Sequence, residues 1–130
     1  MYLISKRMEV AAAHNLNLPY ESKCTNCHGH NYIITVYLMS EELNEVGMVA
    51  DFAIIKKQIH EVLDHHYLND ILPNNPTAEH MAYWIANKLD ECYNANICYR
   101  CDVQESEGNI AYYFNEGLCQ KLKELGINAN

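Results

Sequence analysis

A chain of 130 residues, 49% of them hydrophobic, fits one domain spanning 1–130; it can hold a real core and is too short for two ordinary domains. Seventeen acidic residues against nine basic ones give a formal charge of −8 without any Lys/Arg cluster, which argues against a nucleic-acid binder. No segment has the length and apolarity of a bilayer span and no secretory leader pattern opens the chain, so a soluble cytoplasmic protein with no membrane partner is expected.

Residues 2 to 13 alternate loosely, with Ile4, Met8, Val10 and Ala12 sharing parity with His14, which predicts a first strand carrying that histidine at its end. Asn15 to Thr25 is polar and loop-like. From Gly29 to Met39 the run is β-branched and aromatic: Tyr32, Ile34, Val36 and Leu38 share the His30 face, and Ile33, Thr35 and Tyr37 the other. Both faces are largely apolar, so both are expected to be covered. A helix capped by Asp51 should bury Phe52, Ile55, Ile59, Val62 and Leu63 and end near Asp64-His65-His66-Tyr67. A second helix starts at Thr77 with Met81, Trp84, Ile85, Leu89 and Cys92 as its stripe. Residues 97 to 105 and 109 to 114 read as a hairpin around Ser106-Glu107-Gly108-Asn109, and Glu116 to Leu125 as a short terminal helix. The order β-β-α-α-β-β describes an α+β domain, a four-stranded antiparallel sheet with two helices on one face. The uncovered face would most easily be hidden against other subunits, so a homo-oligomer is expected.

The chemistry concentrates in Cys24-Thr25-Asn26-Cys27-His28-Gly29-His30. Side chains two apart on a strand share a face, so His28 and His30 can converge on one cation, with His14 as a third nitrogen ligand and Gly29 turned away. Three protein nitrogens on zinc leave a position for water or substrate, whereas a fourth protein ligand closes the site. Whether a cysteine joins them decides which case applies. Cys24, beside a cation and next to Lys23, suits a proton-abstracting base; Cys27 directly precedes His28 and could compete as a ligand. Cys98 and Cys101 form the second Cys-x-x-Cys pair. Four thiolates around one structural zinc, or a redox pair at Cys24 and Cys27, are alternatives, but Cys98 and Cys101 lie in a strand-like run where their odd separation should send them to opposite faces as small buried hydrophobes. Asp64-His65 pairs a carboxylate with an imidazole, the makings of a proton shuttle near neutral pH, although a histidine at a helix C-terminus can equally serve to satisfy carbonyls.

Ala12-Ala13-His14, Cys24-x-x-x-His28-Gly29-His30, Val49-Ala50-Asp51-Phe52, Leu63-Asp64-His65-His66-Tyr67-Leu68-Asn69-Asp70, Asn75-Pro76-Thr77-Ala78-Glu79 and Val103-Gln104-Glu105 together resemble the 6-pyruvoyl- and 6-carboxytetrahydropterin synthase family. The resemblance implies a tunnelling fold, in which trimers close their sheets into a barrel and two trimers stack as a hexamer with active sites between subunits. It implies 7,8-dihydroneopterin triphosphate as substrate, zinc on His14, His28 and His30, Cys24 as base, Asp64 and His65 as relay, and Glu105 as anchor for the pterin ring, with Thr77 and Glu79 as further substrate contacts. The short chain and its Leu-Asp-His-His-Tyr-Leu-Asn-Asp wording look like the bacterial branch that forms the 6-carboxy product for deazapurine and queuosine synthesis. For the triphosphate, Lys6, Arg7, Lys23 and Arg100 are the local positive charges.

Overall fold

Alternation of buried and more open positions runs down most of the first two strands of the computed structural model, which describes residues 1–128. Strand β1 (Tyr2–His14) pairs antiparallel with β2 (His28–Ser40) in unbroken register from Tyr2 opposite Ser40 to His14 opposite His28. Helices α1 (Phe52–Leu63) and α2 (Ala78–Tyr93) follow, then β3 (Cys98–Ser106), β4 (Asn109–Phe114) and α3 (Glu116–Glu124). The four strands form one antiparallel sheet in chain order. The strands and their order therefore match the sequence reading, with a residue or two added at the ends.

One face of the sheet carries the core. Met8, Val10 and Ala12 of β1, Tyr32, Ile34, Val36 and Leu38 of β2 and Cys98, Cys101 and Val103 of β3 lie under α1 and α2. Helix α1 starts where the Asp51 carboxylate accepts from Ala53 N–H, and it buries Ile55, Ile59 and Leu63, each contributing about 1.5–3 kcal/mol. Phe52, expected in that stripe, is 49% exposed, because the first turn projects it past the sheet edge, where the Lys6 ammonium sits over its ring. Helix α2 is capped by Thr77 and buries Ala78, Met81, Ala82, Ile85, Ala86 and Leu89; its three alanines let it settle close to the sheet, leaving Trp84 partly open and Cys92 exposed, against expectation.

Two irregularities in β3 re-aim side chains, as bulges do. Leu38 pairs with Cys98 while Tyr37 pairs with Arg100, so Tyr99 has no opposite residue. That extra residue puts Cys98 and Cys101 both in the core, although odd spacing in a regular strand would have separated them. Toward the hairpin, Gln104 pairs with Ile110 and Ser106 with Asn109, leaving Glu105 unpaired. Gly108 closes that hairpin at φ +81°, a value that glycine adopts without strain.

The other face is mixed rather than largely apolar. Arg7 and Glu9 form an ion pair on it, and the Arg100 guanidinium donates two hydrogen bonds to Asp102 while lying 4.6 Å from the Tyr37 ring centre and 5.3 and 5.4 Å from those of Tyr112 and Phe114. Helix α3 covers only one end, through Leu122 packed on Met39 and Tyr99. Among the described residues, no helix is long and apolar enough to cross a membrane.

Candidate metal centre and the neighbouring carboxylate–histidine pair

His14 ends β1 and His28 begins β2 directly opposite it, with His30 two residues on. All three share the core face, so their rings meet at one end of the sheet, with centroids 4.6 to 5.1 Å apart. One ligand nitrogen from each lies within 4.8 Å of the others. Among the described residues these three imidazoles form the metal-competent group, and neither Cys24 nor Cys27 belongs to it. The arrangement is that of an open site with three protein nitrogens.

Backbone carbonyls fix which nitrogen each ring offers. His14 Nδ1 lies 2.8 Å from the Pro76 carbonyl and His28 Nδ1 2.7 Å from that of Asn26. A carbonyl only accepts, so both rings carry their proton on Nδ1 and present bare Nε2 atoms. Those two Nε2 atoms face each other at 3.0 Å. Two lone pairs so placed need a proton or a metal ion between them, and two nitrogens on one tetrahedral zinc would stand about 3.3 Å apart. The third ring agrees: His30 Nε2 is buried without a hydrogen-bond partner. Its pKa is lowered, first by burial and further by His14 and His28, with Glu105 opposing, which keeps the ring neutral as a ligand must be. These donors fit a borderline ion such as zinc.

Tyr32 extends the cluster inward. Its hydroxyl sits 3.2 Å from His14 Nδ1, and burial together with Glu105 raises its pKa far above the ordinary phenol value. Glu105, turned by the second bulge, brings Oε1 to 3.4 Å from His30 Nε2. It also lines an open groove of about 480 Å³ with Glu79, Ala78 and Gly108. Thr77 is close by in sequence, but its hydroxyl is engaged as the α2 cap, accepting from His80 N–H at 3.1 Å.

The segment that supplies the Pro76 carbonyl is held by two reciprocal amide clamps. Asn69 accepts from Asn15 N–H and donates to the Asn15 carbonyl, at 3.0 and 2.9 Å. Asn75 does the same for Asn17, at 2.8 and 3.1 Å. Tyr67 donates its hydroxyl to the Asn15 side chain. Asn69, Asn75 and Pro76 lie within the family-like motifs, yet nothing in their spacing revealed this supporting role. Tyr32 was legible only as a strand residue, because its partner is 18 positions away in sequence.

Asp64 caps the end of α1. One carboxylate oxygen accepts from Ala11 N–H at 2.9 Å, and the other lies 3.3 Å from His65 Nε2. His65 adopts φ 59° and donates its own N–H to the Ala11 carbonyl at 2.7 Å, so the chain turns sharply onto the free edge of β1 and Tyr67 bridges to Ala13. This backbone leaves the His65 ring 82% exposed. It rims a groove of about 490 Å³ whose lining includes Ala11, Ala12, Ala13, Gly29, His30 and Asn31. Ala11, Ala13, Gly29 and Asn31 have the parity of the mixed face, whereas Ala12 and His30 share the parity of the core face, so the groove lies at the end of the sheet where both meet. Within one chain the structure brings the metal ligands together with Glu105, and Asp64 together with His65, and His30 lines the groove that His65 rims. Cys24 stands between His14 and His28 in sequence, on the turn Lys23–Thr25, half-buried, its N–H bonded to the Ser22 hydroxyl and its carbonyl to Leu16 N–H.

Sheet, helices and three-histidine centre define a metal-competent tunnelling-fold domain. The chain belongs to the 6-pyruvoyl tetrahydropterin synthase family, whose model matches residues 3–116. It is 37% identical, over 94% of its own length and all of the relative's, to a 6-carboxy-5,6,7,8-tetrahydropterin synthase of Synechocystis. It is 31% identical, over 87% of its length and 91% of the relative's, to the 6-pyruvoyl tetrahydrobiopterin synthase of Homo sapiens. The solved 6-pyruvoyl tetrahydropterin synthase of Caenorhabditis elegans superposes with a TM-score of 0.71 at 28% identity, covering 88% of this chain and 95% of that one.

Proposed function

We propose that this chain is a zinc-dependent lyase of the 6-carboxytetrahydropterin synthase type, converting 7,8-dihydroneopterin triphosphate and one water to 6-carboxy-5,6,7,8-tetrahydropterin with loss of triphosphate and acetaldehyde. The observation that carries the reading is the pair of bare Nε2 atoms facing each other at 3.0 Å with His30 beside them, a centre with donors fixed and no thiol in it. The 37% identity to a relative named for the 6-carboxy product supports that branch.

His14, His28 and His30 would hold the ion, which when bound acts as a Lewis acid toward the substrate's side-chain hydroxyls. Glu105 anchors the guanidine-like edge of the pterin, a carboxylate being able to accept two parallel N–H bonds there. Fixing that end places the side chain over the metal centre. Glu79, in the same groove as Glu105, is a weaker contact, and the capping duty of Thr77 leaves its hydroxyl less to offer. Cys24 takes a proton from the side chain and His65, oriented by Asp64, returns one elsewhere, so an internal redox shift accompanies loss of triphosphate. Of the cations near the site, Arg7 and Arg100 are ion-paired and Lys6 covers Phe52, which favours Lys23, beside Cys24, for the triphosphate.

The uncovered mixed face of the sheet and the 82% exposed His65 ring support a site completed between copies: the Asp64–His65 pair of one chain would serve the metal centre of a neighbour. A hexamer of stacked trimers is the assembly proposed, and it would also cover the mixed face of the sheet.

Incubating the purified protein with 7,8-dihydroneopterin triphosphate and analysing products by mass tests the reading. Acetaldehyde with the 6-carboxy pterin is the expected result. A 6-pyruvoyl product would move the chain to the other branch, and retention of intact ligand would overturn the enzymatic reading.

A further inference from the structure

Tyr32 brings a hydroxyl into a row of buried aliphatic side chains. It follows His28 and His30 at two-residue spacing on β2, and Ile34, Val36 and Leu38 continue the same face. Burying a phenol there costs stability unless its hydroxyl is bonded. Its partner is the outer nitrogen of a metal ligand on the next strand, His14 Nδ1 at 3.2 Å. Tyr32 stands opposite Val10, with His14 four residues further along β1 and the small Ala12 between them on the shared face. The ring also meets two imidazoles edge-on, its centroid 5.5 Å from that of His30 and 6.0 Å from that of His14.

We infer that Tyr32 is a positioning residue of the metal centre, its hydroxyl sharing the Nδ1 proton of His14 with the Pro76 carbonyl and so tying the β1 ligand to the strand that carries the other two. His14 needs that proton on Nδ1 to keep Nε2 bare, and one N–H can be divided between two acceptors, here at 2.8 and 3.2 Å. The two acceptors differ in footing. Pro76 belongs to the connection between α1 and α2, whereas Tyr32 is fully buried on an inner strand of the sheet. A partner on a regular element holds a ligand more closely than one on a loop. His28 is held differently, by donating from Nδ1 to the Asn26 carbonyl at an exposed position. Outer partners of metal-bound imidazoles set affinity by about 10- to 100-fold, so the Tyr32 oxygen should be felt at the ion.

The inference rests on the proposed metal centre, and zinc binding rather than turnover tests it. Zinc affinity is measured by competition with a chromophoric chelator in the wild type, Tyr32→Phe and Ile34→Val. Tyr32→Phe keeps the ring and removes one oxygen, so affinity should fall about 10-fold, and the rise in Tm on adding zinc should shrink with it. Ile34→Val trims the next residue on the same buried face as a packing control; it should lower Tm and leave zinc affinity unchanged. Equal affinity in the wild type and Tyr32→Phe would overturn the inference, as would an equal loss in both variants. Proton NMR of the zinc-loaded wild type needs no variant: the His14 Nδ1 proton should show a nuclear Overhauser contact to the Tyr32 ring, and its absence would refute the sharing. Zinc binding that depends on Tyr32 in a protein without turnover would fail the proposed lyase alone. A wild type that takes up no zinc would fail the metal centre and this inference together.

Discussion

Cys24 with Cys27 and Cys98 with Cys101 share one spacing and have opposite surroundings. The first pair lies on a polar turn leading into a metal ligand, with Cys24 half-buried and Cys27 exposed. The second is sealed in the core by a β-bulge, where burial pushes the Cys98 thiol up to about 12 and that of Cys101 well above its usual range. Thiol chemistry follows the surroundings of the sulfur, so identical motifs in one chain can be reactive in one place and inert in the other.

The largest test of this contrast is Cys24→Ala. Turnover should fall by about 10³-fold while zinc stays near about one ion per chain, because the sulfur lies outside the metal group. Loss of the ion with the thiol would break the contrast by making the first pair structural. Alkylation of the native protein at pH 8 should come next, with Cys27 modified about 100-fold faster than Cys98 or Cys101, as read by peptide mass spectrometry. Equal rates would show the bulge region open to solvent.

Smaller effects concern stability. Cys101→Ser buries a hydroxyl in a fully covered position and should cost about 1–3 kcal/mol in denaturant unfolding with kcat unchanged. Cys98 sharpens the point through pH. Its folded pKa is raised, so its contribution is intact below the ordinary thiol value and declines as pH climbs toward about 12, where the unfolded chain has released a proton that the folded chain still keeps. Tm should therefore drop between pH 8 and 10, and less steeply in Cys98→Ala. An identical slope in the two proteins would place the alkaline sensitivity elsewhere.

Period-two parity made the first two strands legible, and with them the convergence of His14, His28 and His30, because a histidine at a strand end inherits the face of the residues before it. Asp51 and Thr77 marked the helix starts through their capping side chains. Bulges at Tyr99 and Glu105 were invisible, since an unpaired residue is defined by its neighbouring strand and carries no composition of its own. For the same reason Cys98 and Cys101 were assigned to opposite faces. The tautomers of His14 and His28 were out of reach as well, being set by carbonyls of Pro76 and Asn26, groups every residue type possesses.

The clamps formed by Asn69 and Asn75 tie a loop's position to the grip on a cation. Both grasp the short stretch Asn15–Asn17 just beyond His14, and so hold in place the segment 69–76, whose Pro76 carbonyl orients that ring. Loss of either clamp would leave the Pro76 carbonyl, and with it the nitrogen that His14 presents, less firmly held, a loosening that faster amide exchange at Asn15 and Asn17 would report.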